Sequence, residues 1–301
     1  MMFGKVAKAL DEPALIKYAL GRKINRAYHT RFGKREHNLD GIDVFEEDWD
    51  NLVILDSCRY DHFVGYDLPG TLDWRYSKGS STNEFLTANF RETKLHDTVY
   101  VSANAWFPRL ADDIGAEIHD FINLQQSEYQ DEQLGVELPE TVTDAAIRTE
   151  KEYPNKRMLI HYIQPHYPYI GPVGRKHISP KTNMLTAILE SDVPPAVVRK
   201  AYWENLDEVI AEMETLFDSL RGKTVITADH GELLAERSFP FPYREYGHPL
   251  GTYTRKLVKV PWHVYDSGGR KTVVPEEPRY DRSEVDEDVI DERLRNLGYR
   301  V

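Results

Sequence analysis

Lys223-Thr224-Val225-Ile226-Thr227-Ala228-Asp229-His230-Gly231-Glu232 is a short β-branched run that ends abruptly in an acid, an imidazole and a glycine. It reads as a buried strand that delivers two metal-ligand types at its C-terminal edge, where Gly231 frees the backbone to turn. A second run, Asn51-Leu52-Val53-Ile54-Leu55-Asp56, ends the same way. Open α/β sheets bind ligands in the crevice beyond the carboxyl ends of their strands. If the two runs are parallel neighbours, Asp56, Asp229 and His230 converge on one point. Two carboxylates and an imidazole suit a divalent cation, with zinc or manganese first and calcium or magnesium behind.

Working outward, 301 residues with 41% hydrophobic content suffice for one large α/β domain. Hydrophobic periodicity predicts helices over 13–31, 105–114, 141–153, 195–220 and 284–297, and strands over 98–102, 156–163 and 257–264. Pro261 implies a bulge or an edge position in the last strand. The segments 121–138 and 232–246 read as irregular. The net charge of −12 counts against nucleic acid as a partner. A single cysteine, Cys58, excludes an intrachain disulfide framework. No apolar run approaches ~20 residues, and the charged start is no signal peptide. The expected location is therefore cytoplasmic, with a peripheral place at the inner face of the membrane as its variant.

That variant rests on the first helix. Lys17, Arg22, Lys23, Arg26, Arg31, Lys34 and Arg35 concentrate positive charge in an acidic chain. Leu15, Ile16, Tyr18, Ala19, Ile24 and Ala27 form a rough apolar stripe beside them. Such a helix either packs on its own domain or lies on anionic lipid.

Several separated motifs now resemble one family in its own order. ITADHGE (226–232), Tyr246-Gly247-His248, Lys259-Val260-Pro261-Trp262 and NLVILDSCRYD (51–61) are similar to the alkaline phosphatase/sulfatase superfamily, in its prokaryotic sulfatase-like branch. The resemblance spans about residues 48–266. It implies a three-layer α/β/α sandwich around a mostly parallel sheet, flanked by a basic helix and linker (1–47) and an acidic linker with a terminal helix (267–301). It also places a nucleophile in the turn Ser77-Lys78-Gly79-Ser80-Ser81-Thr82-Asn83-Glu84. Read alone, that turn is an N-cap with Glu84 available for a capping box. In the family context Ser80, Ser81 or Thr82 is the attacking hydroxyl, and the choice among them is open. The sulfatase cysteine, proline and arginine do not stand there, so an unmodified hydroxyl and phosphoryl transfer are implied.

Gln164-Pro165-His166-Tyr167-Pro168-Tyr169 resembles the family's PHxPY segment. Two-metal members carry an aspartate here, whereas this chain has Gln164, a poor ligand. No carboxylate is identified between His166 and His248, so one divalent metal is expected. His166 and His248 become candidates for binding substrate oxygens or protonating the leaving group; otherwise one is a ring stacked among prolines and tyrosines and the other a surface loop residue. His161 reads as a satisfied core histidine, and Asp61 either assists the metal or caps the next segment. The implied activity is hydrolysis or transfer of phosphate esters, small or lipid- or polymer-linked. A true sulfatase and a non-catalytic metal-binding scaffold in cell-surface polymer synthesis are the alternatives.

Overall fold

The computed structural model describes residues 13–125, 129–131, 133–280 and 294. A helix, α1 (Pro13–His29), precedes β1 (Asn51–Leu55), α2 (Tyr60–Phe63), β2 (Thr71–Tyr76), α3 (Thr82–Phe90) and β3 (Lys94–Ser102). Then come α4 (Trp106–Ile114), β4 (Glu117–Asn123), α5 (Pro139–Glu152), β5 (Arg157–Tyr162), α6 (Pro172–His177) and α7 (Met184–Glu190). The chain continues through α8 (Pro195–Ala211), α9 (Met213–Ser219), β6 (Lys223–Thr227), β7 (Leu233–Arg237), β8 (Arg244–Gly247), α10 (Arg255–Val258) and β9 (Lys259–Asp266).

Seven strands form one sheet in the order β2-β9-β6-β1-β5-β3-β4. β1 lies between β5 and β6 and is parallel to both, with Val53 opposite Ile160 on one side and Ile226 on the other. β9 runs antiparallel to β6, and β2 antiparallel to β9. All five residues of β1 are buried, which is why its sequence is a continuous apolar run and not an alternating one. Alternate residues feed two cores. Val53, Leu55, Ile160 and Ile226 pack with α5, α7, α8 and α9, whereas Leu52, Leu159 and Val225 pack with α3 and α4. The expected sandwich of helices on both faces of a mostly parallel sheet is the observed one.

Several expectations need correction. The helix expected over 195–220 is two, α8 and α9, separated by Glu212. β2, β4 and the β7–β8 hairpin were not legible, because β2 is largely exposed and β7 and β8 are short. Pro261 is on an inner strand rather than an edge. It opposes Trp74 of β2 but lies beyond the last residue of β9 paired with β6, His263. The missing N–H therefore costs no bond of the β6 ladder. The terminal helix expected over 284–297 lies outside the described residues, apart from Leu294, which is buried in the second core. Among the described residues no helix is long and apolar enough to cross a membrane.

Candidate active site and metal centre

β1 and β6 end side by side, so the residues that follow them meet. Asp56, Asp229 and His230 are all fully buried. The chain turns after Asp56 through Ser57, whose φ of 66° is left-handed, a conformation that costs a non-glycine residue about 1–3 kcal/mol. Ser57 is held there from three directions. Its N–H donates to Asp229 Oδ1 (3.1 Å), its hydroxyl to Asp56 Oδ1 (3.1 Å), and its carbonyl accepts from the Tyr202 hydroxyl (2.9 Å). Gly231 has a different reason from the one its sequence suggests. A Cβ there would lie 2.1 Å from the carbonyl oxygen of Lys256, so close backbone approach excludes any side chain.

The hydroxyl run at the start of α3 separates cleanly. Ser80 Oγ donates to Glu84 Oε2 (2.9 Å) and accepts from Thr252 N–H (3.1 Å). Ser81 Oγ donates to Asn83 Oδ1 (2.7 Å). Thr82 Oγ1 alone reaches the acid–imidazole cluster, 3.4 Å from Asp56 Oδ2 and 3.3 Å from His230 Nε2. No capping box forms. Ser81 is the N-cap but makes no side-chain cap bond, and Glu84 accepts from the N–H of Ser80 instead (2.7 Å).

Proton placement shows what the cluster lacks. His230 Nδ1 lies 2.9 Å from the carbonyl oxygen of Gly231. A carbonyl only accepts, so Nδ1 carries the proton and Nε2 presents a lone pair. That lone pair faces Asp229 Oδ2 at 3.3 Å and Asp56 Oδ1 at 3.7 Å. Three electron-rich atoms thus converge, with only the hydroxyls of Ser57 and Thr82 beside them to donate. Asp229 Oδ2 and His161 Nε2 are buried without a hydrogen-bond partner; they stand 4.0 Å apart. An unsatisfied buried polar atom costs about 1–3 kcal/mol, and a cation would satisfy all of these at once.

His161 was expected to be an ordinary core histidine. Only half of it is: Nδ1 is engaged by the Tyr100 hydroxyl at 2.8 Å, while Nε2 joins Asp56 and Asp229 in a group whose ligand atoms lie within 4.8 Å of one another. A second such group is His166, Glu232 and His248. Glu232 overturns the reading that no carboxylate stands with the two histidines, and with it the basis for expecting a single metal. Its carboxylate is fully buried and neither oxygen forms a hydrogen bond of normal geometry, the nearby Ser57 hydroxyl being turned to Asp56. His166 lies buried in the loop after β5 and His248, half-buried, in the loop after β8, yet both turn their rings into the site. Their Nε2 atoms are 3.0 Å apart, and the His248 ring stacks on His230 at 4.3 Å.

Burial sets the charge state. It raises the Asp56 carboxyl well above its ordinary range, helped by the Asp229 charge, and raises Glu232 likewise. It lowers His161 and His166 to about 4, and His248 well below its ordinary value. Without a cation, Asp56 and Glu232 resist ionisation; a cation inverts that logic.

Asn104 is a participant the sequence did not announce. Its Nδ2 donates to Asp56 Oδ2 (2.8 Å) and its Oδ1 accepts the Trp106 N–H at the start of α4 (2.9 Å). Asp61, a candidate to assist the metal, instead pairs with Lys256 and with buried Arg59 (2.9 Å). A pocket of about 270 Å³ opens over the histidine pair, lined by Ser81, Trp106, His166, Tyr246, His248 and Arg22 of α1.

No family model matches the chain, and no curated relative does. Solved structures do resemble it. The integral membrane protein lipooligosaccharide phosphoethanolamine transferase A from Neisseria meningitidis is 15% identical with a TM-score of 0.50, the match covering 72% of this chain and 47% of that one. This chain therefore matches about half the length of that protein. The soluble domain of the same Neisseria enzyme gives 14% identity and a TM-score of 0.48, covering 71% and 75%. A protein in the alkaline phosphatase superfamily from Vibrio parahaemolyticus gives 12% and 0.40, covering 88% and 70%. The fold is shared with the integral membrane Neisseria transferase.

Proposed function

We propose that this protein cleaves or transfers a phosphate ester, with Thr82 as nucleophile and Asp56, Asp229 and His230 as ligands to a divalent cation. The observation that carries the reading is the position of Thr82 Oγ1 between Asp56 Oδ2 (3.4 Å) and the lone pair of His230 Nε2 (3.3 Å). Asp229 Oδ2 and His161 Nε2 stand ready beside it without other bonds. A mixed set of carboxylate oxygens and imidazole nitrogens suits zinc or manganese. A bound divalent cation supplies positive charge that screens non-bridging phosphoryl oxygens and lowers the proton affinity of a hydroxyl.

The chain's own residues do the rest. Thr82 is the first residue of α3, whose nine residues place backbone N–H groups and the positive end of a helix dipole beside the incoming anion. The Thr82 O–P bond forms as the ester P–O bond breaks, leaving a phosphothreonine that water or an acceptor alcohol resolves. The proton lost by Thr82 balances the one gained by the leaving oxygen. His248, which lines the pocket, is the residue assigned to protonate the leaving oxygen, and His166, whose Nδ1 is held by the Tyr167 carbonyl, faces it through Nε2. Glu232 with these two histidines forms a second candidate cation site. Asn104 holds Asp56 with one oxygen turned toward Thr82.

Phosphate rather than sulfate esters are the proposed substrates, since no cysteine stands at 80–82 to furnish a formylglycine. The shared fold with a lipooligosaccharide phosphoethanolamine transferase supports a lipid- or polymer-linked ester. A metal-reconstituted screen of aryl phosphate monoesters, diesters and sulfates, with metal content measured on the same preparation, tests the reading. Turnover of phosphate esters that Thr82→Ala abolishes supports it; sulfatase turnover, or turnover indifferent to Thr82, sinks it.

A further inference from the structure

α1 is an amphipathic helix packed the unusual way round. Its inner face packs Tyr18 and Gly21 on Tyr243 and is otherwise polar and bonded to the β7–β8 hairpin. Arg22 Nη2 pairs with buried Glu245 (2.8 Å) and donates to the Tyr246 carbonyl (2.8 Å). Asn25 exchanges two hydrogen bonds with the Phe241 backbone (2.7 and 3.3 Å), and His29 Nε2 meets the Phe239 carbonyl at 3.1 Å. Tyr18 stands edge-on to Tyr243 at 5.1 Å. Gly21 lies so close that a Cβ would fall 2.3 Å from that ring.

The apolar residues face the other way. Ile16, Leu20 and Ile24 are 45%, 54% and 40% exposed, spaced four apart along one stripe. Tyr28 continues the stripe, and Phe32 beyond the helix is 86% exposed. Phe239 of the hairpin, also exposed, packs on Tyr28 at 5.3 Å. Of the eleven large hydrophobic side chains exposed among the described residues, these six sit together along α1 and its end. A soluble surface scatters such residues singly; a contiguous row marks an interaction site.

The charge around the stripe selects the occupant. Residues 13–35 hold seven lysines and arginines and no acid, within a chain of net charge −12. Lys17 and Lys23 are exposed on either side of the stripe. At the end of α1 a cleft of about 420 Å³ is lined by Arg31, Arg35 and Arg255 against a single carboxylate, Asp40. None of these three guanidinium groups is ion-paired among the described residues. An apolar row flanked by lysines, leading to an arginine-lined cleft of headgroup size, matches an acyl surface bearing phosphate headgroups.

We infer that the outer face of α1 docks this protein on an anionic lipid bilayer, with Ile16, Leu20, Ile24, Tyr28 and Phe32 entering the interface. Arg22, on the inner face of the same helix, lines the pocket over His166 and His248. Docking therefore places a helix that borders this pocket at the membrane surface. This last step, a lipid-linked phosphate ester as substrate, rests on the proposed function; the docking itself does not.

Co-sedimentation of the full chain with phosphatidylcholine vesicles, with and without phosphatidylglycerol, tests docking without any turnover. The expected result is binding to the anionic vesicles that weakens as salt rises, and falls about tenfold or more in the double variant Leu20→Asp/Ile24→Asp. Both positions are exposed, so circular dichroism should show the variant folded. Val64→Asp, an exposed apolar position away from α1, should bind like the parent. Equal sedimentation with both vesicle types, or of parent and double variant, overturns the inference. So does a dimer in light scattering that Leu20→Asp abolishes, which would assign the stripe to a second copy of the chain.

Discussion

The hydroxyl of Thr82 lies 3.3 Å from Nε2 of His230, whereas that of its neighbour Ser81 turns 2.7 Å to Asn83. One residue of register thus separates a hydroxyl in the acid–imidazole cluster from one in the pocket wall. Thr82→Ala should remove at least ~3 kcal/mol of transition-state stabilisation, a hundredfold or more in kcat/KM. Thr82→Ser keeps the hydroxyl and should retain part of the rate. Ser81→Ala should stay within a few-fold of the parent. Steady-state kinetics on an aryl phosphate decide it, and a Ser81→Ala enzyme as dead as Thr82→Ala would reassign the nucleophile.

Ser80 makes the contrasting case. Its hydroxyl bonds Glu84 and the Thr252 N–H in a fully buried setting. Ser80→Ala leaves that N–H unsatisfied, so a loss of about 1–3 kcal/mol in stability is expected, with kcat little changed. Urea denaturation checks the first part and kinetics the second.

The two ligand groups should separate by stoichiometry. Asp229→Ala removes the carboxylate shared by Asp56, His161 and His230 and should abolish tight binding of the first cation. Glu232→Gln should spare that cation and lower only a second equivalent. Elemental analysis after reconstitution reads both. Unchanged occupancy in Asp229→Ala would rule the first group out.

Much of this site was legible because strand ends announce themselves. Val53-Ile54-Leu55-Asp56 and Val225-Ile226-Thr227-Ala228-Asp229-His230 each break from apolar to ligand residues at one point, and the parallel register of β1 and β6 brings those points together. Glu232 and His161 were harder. Glu232 follows a glycine and looks like loop, yet β7 starts only at Leu233 and pulls it into the interior. His161 sits within an apolar strand, where its satisfied nitrogen and its unsatisfied one cannot be told apart from composition. α1 was ambiguous for a different reason. The sequence left domain packing and lipid binding both open; the helix does pack on the domain, through Tyr18 of the stripe but otherwise through Arg22 and Asn25, and the hairpin that receives them was itself read as irregular.

Asn104 tests whether Asp56 needs positioning. Asn104→Ala removes the bond to Asp56 Oδ2 and the one to the Trp106 N–H. Both partners are buried, so stability should fall by about 1–3 kcal/mol. If Asn104 orients Asp56, metal affinity should fall as well, and Asn104→Asp, which keeps the helix-start acceptor but adds a carboxylate beside Asp56, should be worse for folding of the metal-free protein. Unchanged metal affinity in Asn104→Ala would leave it a structural residue alone.

His62 offers a pH test away from the metal cluster. Burial, aided by the Arg59 charge, lowers its imidazole to about 4 from the ordinary 6.5. The ring stacks flat on Trp203, with centroids 4.5 Å apart and planes 10° from parallel. The folded protein thus keeps this ring neutral where the unfolded chain would protonate it. As pH falls from 6.5 toward 4, the unfolded state gains a proton that the folded state refuses, and folding stability drops. Above 6.5 neither state binds the proton and the contribution is flat. Allowing for solvent screening of a ring near the surface, the loss should be on the order of 1–2 kcal/mol. His62→Phe preserves the stack and cannot titrate. Urea midpoints at pH 7 and pH 5 should therefore differ less in His62→Phe than in the parent, and identical pH dependence in the two would show that His62 is protonated in the folded protein.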